Sequence, residues 1–533
     1  MEWLLRTLSF LQLVLLNILR PYFWYRDRAP PKVIPINKNT LLRLSACEIA
    51  RRIRNGDITS ETVVSAYIER IKGVNPVLHA VIEDRFEAAL KDAKECDKKL
   101  ASGELSQAQL EIKMPFFGVP FTVKESCSLK GLSQTGCLPS RQGIKAAADS
   151  PIVESMKKAG AIPLCVTNTP EQCAGFDAAN LLFGRTLNPY DTRRIAGGSS
   201  GGEAALLGAG ASLIGIGSDI AGSIRVPALF NGVFGHKPSS EIIPITGHYP
   251  MSDDELFQKY LVLGPLTRYV EDLVAAVRVM SGEKSKILRL DETVDLKKLR
   301  VFYREDAGKS FGVAPVDIST RTVIKRAVTH LKTCTAEVRD APVGSLTETL
   351  EITVASFFGM KKLPALLVNP ADPKNEFNPI MEMVKAFLGM SQFTKSAIYM
   401  QILRESRGFM SESSLHRYRQ KGQELRTKFV EMLGDDAVFL YPTFVSAAPP
   451  VGEVNLQTTG SIYCLLVNIF GFPATQIPMG LDRNGLPLGF QVIAGPNQDR
   501  LCLAVAKELE KRFGGWIAPT VISLLDDKET KEE

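Results

Sequence analysis

The sequence has 533 residues, a length that fits either two to four domains or one large α/β domain. Hydrophobic residues make up 45% and charged residues 23%, which excludes a disordered chain and a membrane protein with many spans. The net charge is +6, but residues 1–38 alone hold six basic and two acidic side chains, so the rest is nearly neutral and nucleic acid is not an expected partner. Nine cysteines without CxxC spacing and five scattered histidines predict no disulfide framework, no metal and no cofactor.

The first 28 residues predict a membrane segment. They are apolar, although Gln12, Asn17 and Arg20 interrupt the run, and aromatic residues lie near both ends. We expect a single-pass N-terminal anchor in an endomembrane, and an ordinary helix packed on the body is the alternative. Positive charge after the segment favours a cytosolic body, but the orientation stays open.

Residues 40–102 read as consecutive amphipathic helices. Ser45 and Glu48 predict a capping box, Gly56 ends one helix, and Ser60 begins the next. From residue 115 onward, short apolar runs at 121–123, 162–166 and 213–217 alternate with helical stretches and glycine-rich turns, which is typical of an α/β core. Residues 526–533 are an acidic tail.

The segment 355–410 holds six of the 13 methionines together with several phenylalanines. Flexible, polarizable side chains suit an adaptable apolar cavity, and plain core packing explains the same composition equally well.

Two glycine- and serine-rich segments are candidates for the catalytic site. Residues 197–201, Gly-Gly-Ser-Ser-Gly, satisfy the GxSxG pattern, but the polar, proline-containing residues 188–194 before them predict a loop instead of the strand that a nucleophile elbow requires. A second turn, residues 218–225, follows the apolar run 213–217. A strand that ends in a tight turn lets backbone N–H groups converge on a hydroxyl, which makes Ser223 the better candidate nucleophile.

A serine nucleophile needs a base, and the sequence offers a lysine. Lys124 ends an apolar, strand-like run at residues 118–124, where burial favours an uncharged amine. A lone lysine is more often solvated, so this assignment depends on the two serine segments.

Together these segments resemble the amidase signature family. The resemblance covers roughly residues 40–515 and includes LNPYD, FGHKPS, GFPATQIPMG and GLPLGFQVIAGP. It implies one large α/β domain, residues 29–525, with a central twisted mixed β-sheet covered by helices on both faces.

The resemblance also implies a Ser-Ser-Lys catalytic group. In the family pattern Ser223 matches the nucleophile, Ser199 the cis-peptide serine that relays the proton, and Lys124 the base. The backbone amides of Ile220, Ala221, Gly222 and Ser223 would form the oxyanion hole. Alanine replaces a usual glycine at Ala221, which would be strained if that position needs a positive φ. Ser200 is an expected substrate contact.

Within the family, the apolar N-terminal segment and the length resemble the fatty-acid amide hydrolases that have a single N-terminal anchor. That likeness implies a serine hydrolase that cleaves lipid amides through an acyl-enzyme, with Phe387 and Met390 in the acyl pocket. An amidase for small or aryl amides, a glutamine-hydrolysing amidotransferase subunit and a non-catalytic membrane-tethered binding protein remain alternatives. The amine and acyl preference, and a homodimer, are left open.

Overall fold

An eleven-stranded mixed sheet organises the protein, whose computed structural model describes residues 2–369 and 372–519. The strands are β1 Val81–Asp84, β2 Pro120–Lys124, β3 Ile162–Thr167, β4 Ala179–Asn180, β5 Gly184–Arg185, β6 Ile214–Asp219, β7 Phe234–Lys237, β8 Val262–Thr267, β9 Arg300–Tyr303, β10 Glu337–Asp340, β11 Val368–Asn369, β12 Asp372–Glu376, β13 Ala437–Tyr441, β14 Ala474–Leu481 and β15 Pro487–Ala494. The large sheet has the order β1-β3-β2-β6-β8-β7-β14-β15-β13-β9-β10, and β4–β5 and β11–β12 form two small separate sheets.

Helices cover this sheet. They are α1 Glu2–Arg26, α2 Ala46–Asn55, α3 Ser60–Leu78, α4 Phe86–Ala101, α5 Gln107–Lys113, α6 Pro151–Lys158, α7 Gly201–Gly208, α8 Arg225–Phe230, α9 Glu255–Tyr260, α10 Val270–Ser281, α11 Ile318–Leu331, α12 Thr349–Phe358, α13 Pro379–Phe387, α14 Lys395–Glu405, α15 Glu412–Leu433, α16 Ile462–Phe470 and α17 Asp499–Phe513.

Strand direction divides the sheet into three parts. Strands β2, β3 and β6 are parallel to one another, as are β9, β10 and β13, whereas the strands between these groups pair antiparallel. β2 and β6, which carry the candidate lysine and lead to the candidate nucleophile, are direct neighbours. Their carboxyl ends therefore meet at one edge of the sheet.

Both faces of the sheet are buried, as β13 shows. Val438 and Leu440 point into a core formed with α11 and α17, and Phe439 and Tyr441 point into a second core formed with α8, α15 and α16. Because alternate side chains of a strand point to opposite faces, helices must cover both sides. The predicted single α/β domain with a mixed sheet is confirmed.

The N-terminal helical layer forms as predicted, with one addition and one correction. Gly56 ends α2 in the left-handed conformation (φ 79°), and α3 begins at Ser60. The side chain of Ser45 accepts the Glu48 amide, but the Glu48 carboxylate pairs with arginines of α2 instead of closing a capping box. The edge strand β1, which lies in this region, was not predicted from the sequence.

The first helix lies against the body of the protein. By length and composition, the helical residues Trp3–Arg26 could cross a membrane. At the same time Leu5, Leu16 and Phe23 are buried against the domain. The predicted boundary at residue 28 stays a prediction, and the acidic tail 526–533 lies outside the described residues.

Candidate active site

Lys124 ends the buried strand β2 and is itself completely buried. Its Nζ lies 2.6 Å from Ser199 Oγ and 2.8 Å from Ser218 Oγ. Both partners are hydroxyls, which can accept a proton from the amine or donate one to it. The structure thus brings together the predicted lysine and one predicted serine, and adds a second serine that the sequence did not single out.

Ser199 lies in a loop, as the polar residues before it predicted, and the Gly198–Ser199 peptide bond is cis. A Cβ on Gly198 would lie 2.7 Å from the carbonyl oxygen of Gly175, so only glycine fits at this position. The loop is held from behind by Asn188, whose amide donates to the carbonyl oxygens of Ile195 and Phe230.

Ser223 lies in the turn between β6 and α8 and is 5% exposed. The carboxylate of Asp219, the last residue of β6, accepts the backbone N–H groups of Gly222 (2.8 Å) and Ile224 (3.1 Å). The Ser200 N–H donates to the Ser223 carbonyl at 3.1 Å and so joins the two serine segments.

A buried ion pair holds this turn. Both side chains of Asp219 and Arg225 are fully buried, with Nη2 of the arginine 3.0 Å from Oδ1 of the aspartate. Burial alone would raise the pKa of Asp219, but Arg225 and the surrounding donors hold it well below its usual range. Asn468 and Gln491, from the last part of the chain, accept the remaining guanidinium hydrogens.

Three of the four predicted oxyanion donors face no protein acceptor in the described chain, namely the amides of Ile220, Ala221 and Ser223. The amide of Gly222 is already donated to Asp219, so it is not free to bind an oxyanion in this structure. The left-handed position in the turn is Gly222, with φ 112°, and Ala221 has a negative φ. The alanine is therefore not strained.

His248 extends the group of polar side chains beyond the predicted residues. Its Nε2 lies 2.9 Å from Ser218 Oγ, and its Nδ1 lies 3.0 Å from the carbonyl oxygen of Pro250. Because a carbonyl oxygen only accepts, Nδ1 carries the hydrogen, and Nε2 of the neutral ring accepts the Ser218 hydroxyl. Ser218 then offers its oxygen lone pairs to Lys124. This contact was not predicted from the sequence, because Ser218 and His248 are 30 positions apart in the chain.

Two further ionisable residues, Cys173 and Glu203, interact electrostatically with Lys124. Burial alone would raise the pKa of the Cys173 thiol, but interactions with the nearby Lys124 and His248 lower it to about 5. The carboxyl of Glu203 is fully buried between Thr122 and Thr167, and burial raises its pKa to about 8. Both residues were missed because nothing local in the sequence marks them.

A largely apolar cavity opens onto Ser199 and Ser223. Phe357, Phe358 and Met400 of the methionine- and phenylalanine-rich segment line it. Phe387 and Met390, the predicted pocket residues, do not line it: each is 72% exposed, at the end of α13 or just beyond it. Both side chains point to solvent instead. Ser200 is fully buried behind the cavity, with its hydroxyl directed at the Ser218 carbonyl oxygen, and is not a wall residue either.

One group of side chains among the described residues has ligand atoms close enough to share a metal ion: His330, Cys334 and Glu508. It lies by α11 and α17, and none of the three lines the cavity. The polar groups of the cavity near Ser223 include the hydroxyls of Ser199 and Ser218, the Cys173 thiol and the His248 imidazole, and the Lys124 amine lies behind Ser199. This set suits proton transfer and nucleophilic attack.

Comparison with known proteins identifies the family. The sequence pattern described as "Amidase" matches residues 62–503. The chain belongs to the amidase signature family. It is an amide-cleaving hydrolase.

Individual members of the amidase signature family show how far the similarity extends. "Fatty-acid amide hydrolase 2" of Homo sapiens is 41% identical over 486 residues, which cover 90% of this chain and 91% of that protein. "Fatty-acid amide hydrolase 2-B" of Danio rerio is also 41% identical, over 92% of this chain and 94% of its own length. A solved structure titled "Fatty acid amide hydrolase" has a TM-score of 0.70 at 22% identity, covering 89% of this chain and 86% of that one.

Proposed function

We propose that this amidase hydrolyses fatty-acid amides, such as N-acylethanolamines and primary fatty amides, to a fatty acid and an amine. The observation that carries the proposal is the Lys124–Ser199 contact of 2.6 Å at the polar end of an apolar cavity. The 41% identity to fatty-acid amide hydrolases over about nine tenths of the chain supports the substrate class.

The proposed mechanism begins with a proton relay. Lys124, in its neutral form, takes the hydroxyl proton of Ser199, and Ser199 takes that of Ser223. The Ser223 oxygen then attacks the carbonyl carbon of the amide. Negative charge develops on the carbonyl oxygen of the substrate, beside the backbone amides of Ile220, Ala221 and Ser223.

Collapse of this intermediate releases the amine and leaves an acyl-enzyme. The C–N bond breaks as the relay runs in reverse and returns a proton to the departing nitrogen, because an amine anion is a poor leaving group. Water, activated by the same relay, attacks the ester of Ser223 and releases the fatty acid. The proton taken from Ser223 thus leaves with the amine, and the proton that the relay takes from water returns to the Ser223 oxygen as the ester breaks.

The apolar end of the cavity fits a lipid substrate. Phe257, Leu350, Phe357 and Phe358 line it, so an acyl chain would replace water along most of its length. A membrane suits such a substrate, and α1 together with the exposed apolar residues of α13, including Ile380 and Met381, gives the protein surface to bind one. We propose membrane localisation through the N-terminal segment. A homodimer stays a prediction.

The function is tested with a fluorophosphonate serine probe on the purified full-length protein. We expect label on Ser223, no label in Ser223→Ala, and stronger protection by long-chain than by short-chain amides. Protection only by short or aryl amides would move the substrate to a small-amide amidase. Protection only by glutamine would favour an amidotransferase subunit, and an unlabelled Ser223 in the wild-type protein would leave a non-catalytic binding protein.

A further inference from the structure

Helix α1 exposes an apolar surface along most of its 25-residue length. Its inward face buries Leu5, Leu16 and Phe23 against the body and also carries Arg6, Ser9 and Gln12, while Asn17 and Arg20 are exposed at a crevice beside it. The outward face is open to solvent and, apart from Thr7, is apolar: Trp3, Leu4, Phe10, Leu11, Val14, Leu15, Ile18, Tyr22 and Tyr25. A surface helix of a water-soluble domain carries charged and polar side chains on its solvent side instead.

The inward face is bound to the body by specific polar contacts. The Arg6 guanidinium pairs with the buried carboxylate of Glu351 and also donates to the carbonyl oxygens of Phe311 (2.8 Å) and Thr347 (2.9 Å). Gln12 donates to the Tyr399 hydroxyl at 3.0 Å. Glu351 is 2% exposed, so a helix that left the body would strip a buried carboxylate of its partner.

The same face forms part of the catalytic cavity. Leu5 and Ser9 of α1 line the cavity that holds Ser199 and Ser223, and both side chains are less than a tenth exposed. The N-terminal helix is thus a wall of the substrate-binding site as well as a surface element.

The outward face matches a lipid interface. Ile18 is 67% exposed and Leu11 53%, and aromatic rings flank this apolar strip, at Trp3 on one side and at Tyr22 and Tyr25 on the other. Aromatic side chains concentrate at the boundary between headgroups and acyl chains. Arg28 lies over the ring of Trp24 at 4.1 Å, and with Arg26 and Lys32 it places positive charge where α1 ends, complementary to anionic headgroups.

We propose that α1 lies lengthwise in the surface of a membrane containing anionic lipid, docked on the catalytic body, with its outward face among the acyl chains and its inward face closing the substrate cavity. This arrangement leaves the Arg6–Glu351 pair intact, whereas a transmembrane orientation of the helix would break it. The part that concerns substrate binding rests on the proposed amide hydrolysis. The part that concerns the membrane does not.

The membrane contact is tested with a matched pair of substitutions. Ile18→Glu alters the outward face of α1, and Ile318→Glu alters an isoleucine that is 73% exposed on α11. We expect Ile18→Glu to lower flotation with phosphatidylcholine–phosphatidylserine vesicles at least fivefold and Ile318→Glu to leave it unchanged. Hydrolysis of a soluble short-chain amide in detergent should be the same in both variants.

Three outcomes would overturn the proposal. Vesicle binding that survives Ile18→Glu together with Leu11→Glu means that another surface holds the protein. An N-terminal tag protected from protease in sealed vesicles, with alkali-resistant binding, means that the helix spans the bilayer. Conversion of a dimer to a monomer by Ile18→Glu, with unchanged flotation, means that the face covers a second copy.

The cavity wall is tested at Ser9. Ser9→Phe should raise KM for a long-chain amide at least fivefold more than it raises KM for a short-chain amide. Ser9→Cys gives a reading that does not require the larger side chain to fit: alkylation of the new thiol should be blocked by a long-chain alkyl fluorophosphonate. If the thiol is alkylated equally fast with and without this inhibitor, Ser9 does not line the substrate cavity. If flotation follows the prediction while Ser223 stays unlabelled, the proposed function fails and the membrane surface stands.

Discussion

His248 Nε2 accepts the hydroxyl of Ser218 across 2.9 Å, and Ser218 in turn lies 2.8 Å from the amine of Lys124. The imidazole therefore fixes the direction of the Ser218 O–H bond. Toward Lys124, the Ser218 oxygen can then only accept a hydrogen bond. One N–H of Lys124 is thus directed at Ser218, which leaves the nitrogen lone pair free to point toward Ser199.

Substitution of His248 should slow catalysis without weakening substrate binding. His248→Asn can keep the contact to Pro250 but cannot reach Ser218, whereas His248→Gln can place an amide oxygen near the position of Nε2. A hydrogen bond of about 1–2 kcal/mol predicts a kcat that is roughly five- to thirtyfold lower in the asparagine variant. Steady-state kinetics should show an unchanged KM and recovery in the glutamine variant. Equal activity in both variants would exclude a role through Ser218.

Lys124→Ala should lower kcat by a factor of about a thousand or more while the protein stays folded, since general-base catalysis commonly contributes factors of this order. Lys124→Arg is the informative control, because arginine keeps the positive charge but cannot give up its proton. We expect it to be equally inactive by a stopped amide-hydrolysis assay with circular dichroism as the folding check. Retained activity in the arginine variant would mean that charge alone, and not proton transfer, is required.

Cys173 should be the fastest-reacting of the nine cysteines. Its pKa is lowered to about 5, whereas burial raises the pKa of each of the other eight. Thiolate is the reactive form, so iodoacetamide should modify Cys173 at a rate that changes little between pH 6 and 9.

The control for this reaction is Lys124→Ala, which removes the amine whose interaction lowers the pKa of the Cys173 thiol. In that variant we expect the rate of Cys173 modification, followed by peptide mass mapping, to rise steeply with pH. A flat profile in both proteins would show that Lys124 does not lower the pKa of Cys173.

Glu203 should make the protein less stable as the pH rises. Burial raises its folded-state pKa to about 8, from the usual 4.5 of a glutamate, so between these pH values the folded protein holds a proton that the unfolded chain has released. The free energy of unfolding then falls by about 1.4 kcal/mol per pH unit in this window from this group alone. Glu203→Gln removes this contribution, so its Tm should rise relative to wild type from pH 5 to pH 8. A constant Tm difference would show that the carboxyl is not buried in its neutral form.

The acyl pocket can be tested with two phenylalanines from the same sequence segment. Phe357 lines the cavity, and Phe387 lies outside it, 72% exposed. Phe357→Asn places a polar amide against the acyl chain and should raise KM for long-chain amides about tenfold, with little effect on short ones. Phe387→Asn should leave both substrates unaffected in detergent solution. The reverse pattern would place the acyl chain along α13.

The strands and turns that carry Lys124 and Ser223 could be predicted because their signals are local. A buried strand ending at Lys124, and another leading to the turn at Ser223, are visible in the sequence as apolar runs followed by functional side chains. The resemblance to the amidase family then connected them. The mixed sheet followed from that resemblance, but its strand order did not, because pairing such as β7 with β14 joins residues more than 200 positions apart.

The remaining features depend on which side of an element faces the cavity. Phe387 was predicted to line the pocket because its segment is rich in methionine and phenylalanine. Its side chain, at the end of α13, points to solvent, whereas Phe357 on α12 lines the cavity. His248, Cys173 and Glu203 come close to Lys124 only through tertiary packing. Their positions in the sequence do not indicate this proximity, so it could be found only from the structure.

The buried Arg225 has a consequence for the synthesis of the protein. Its guanidinium is shared by Asp219, in the turn of the nucleophile, and by Asn468 and Gln491 near the other end of the chain. A ribosome releases the chain in order, so the turn at Ser223 emerges long before the side chains that complete its ion-pair network. Active enzyme should therefore appear only after residue 491 has left the exit tunnel, and chains terminated between residues 223 and 491 should contain Lys124, Ser199 and Ser223 without being amidases.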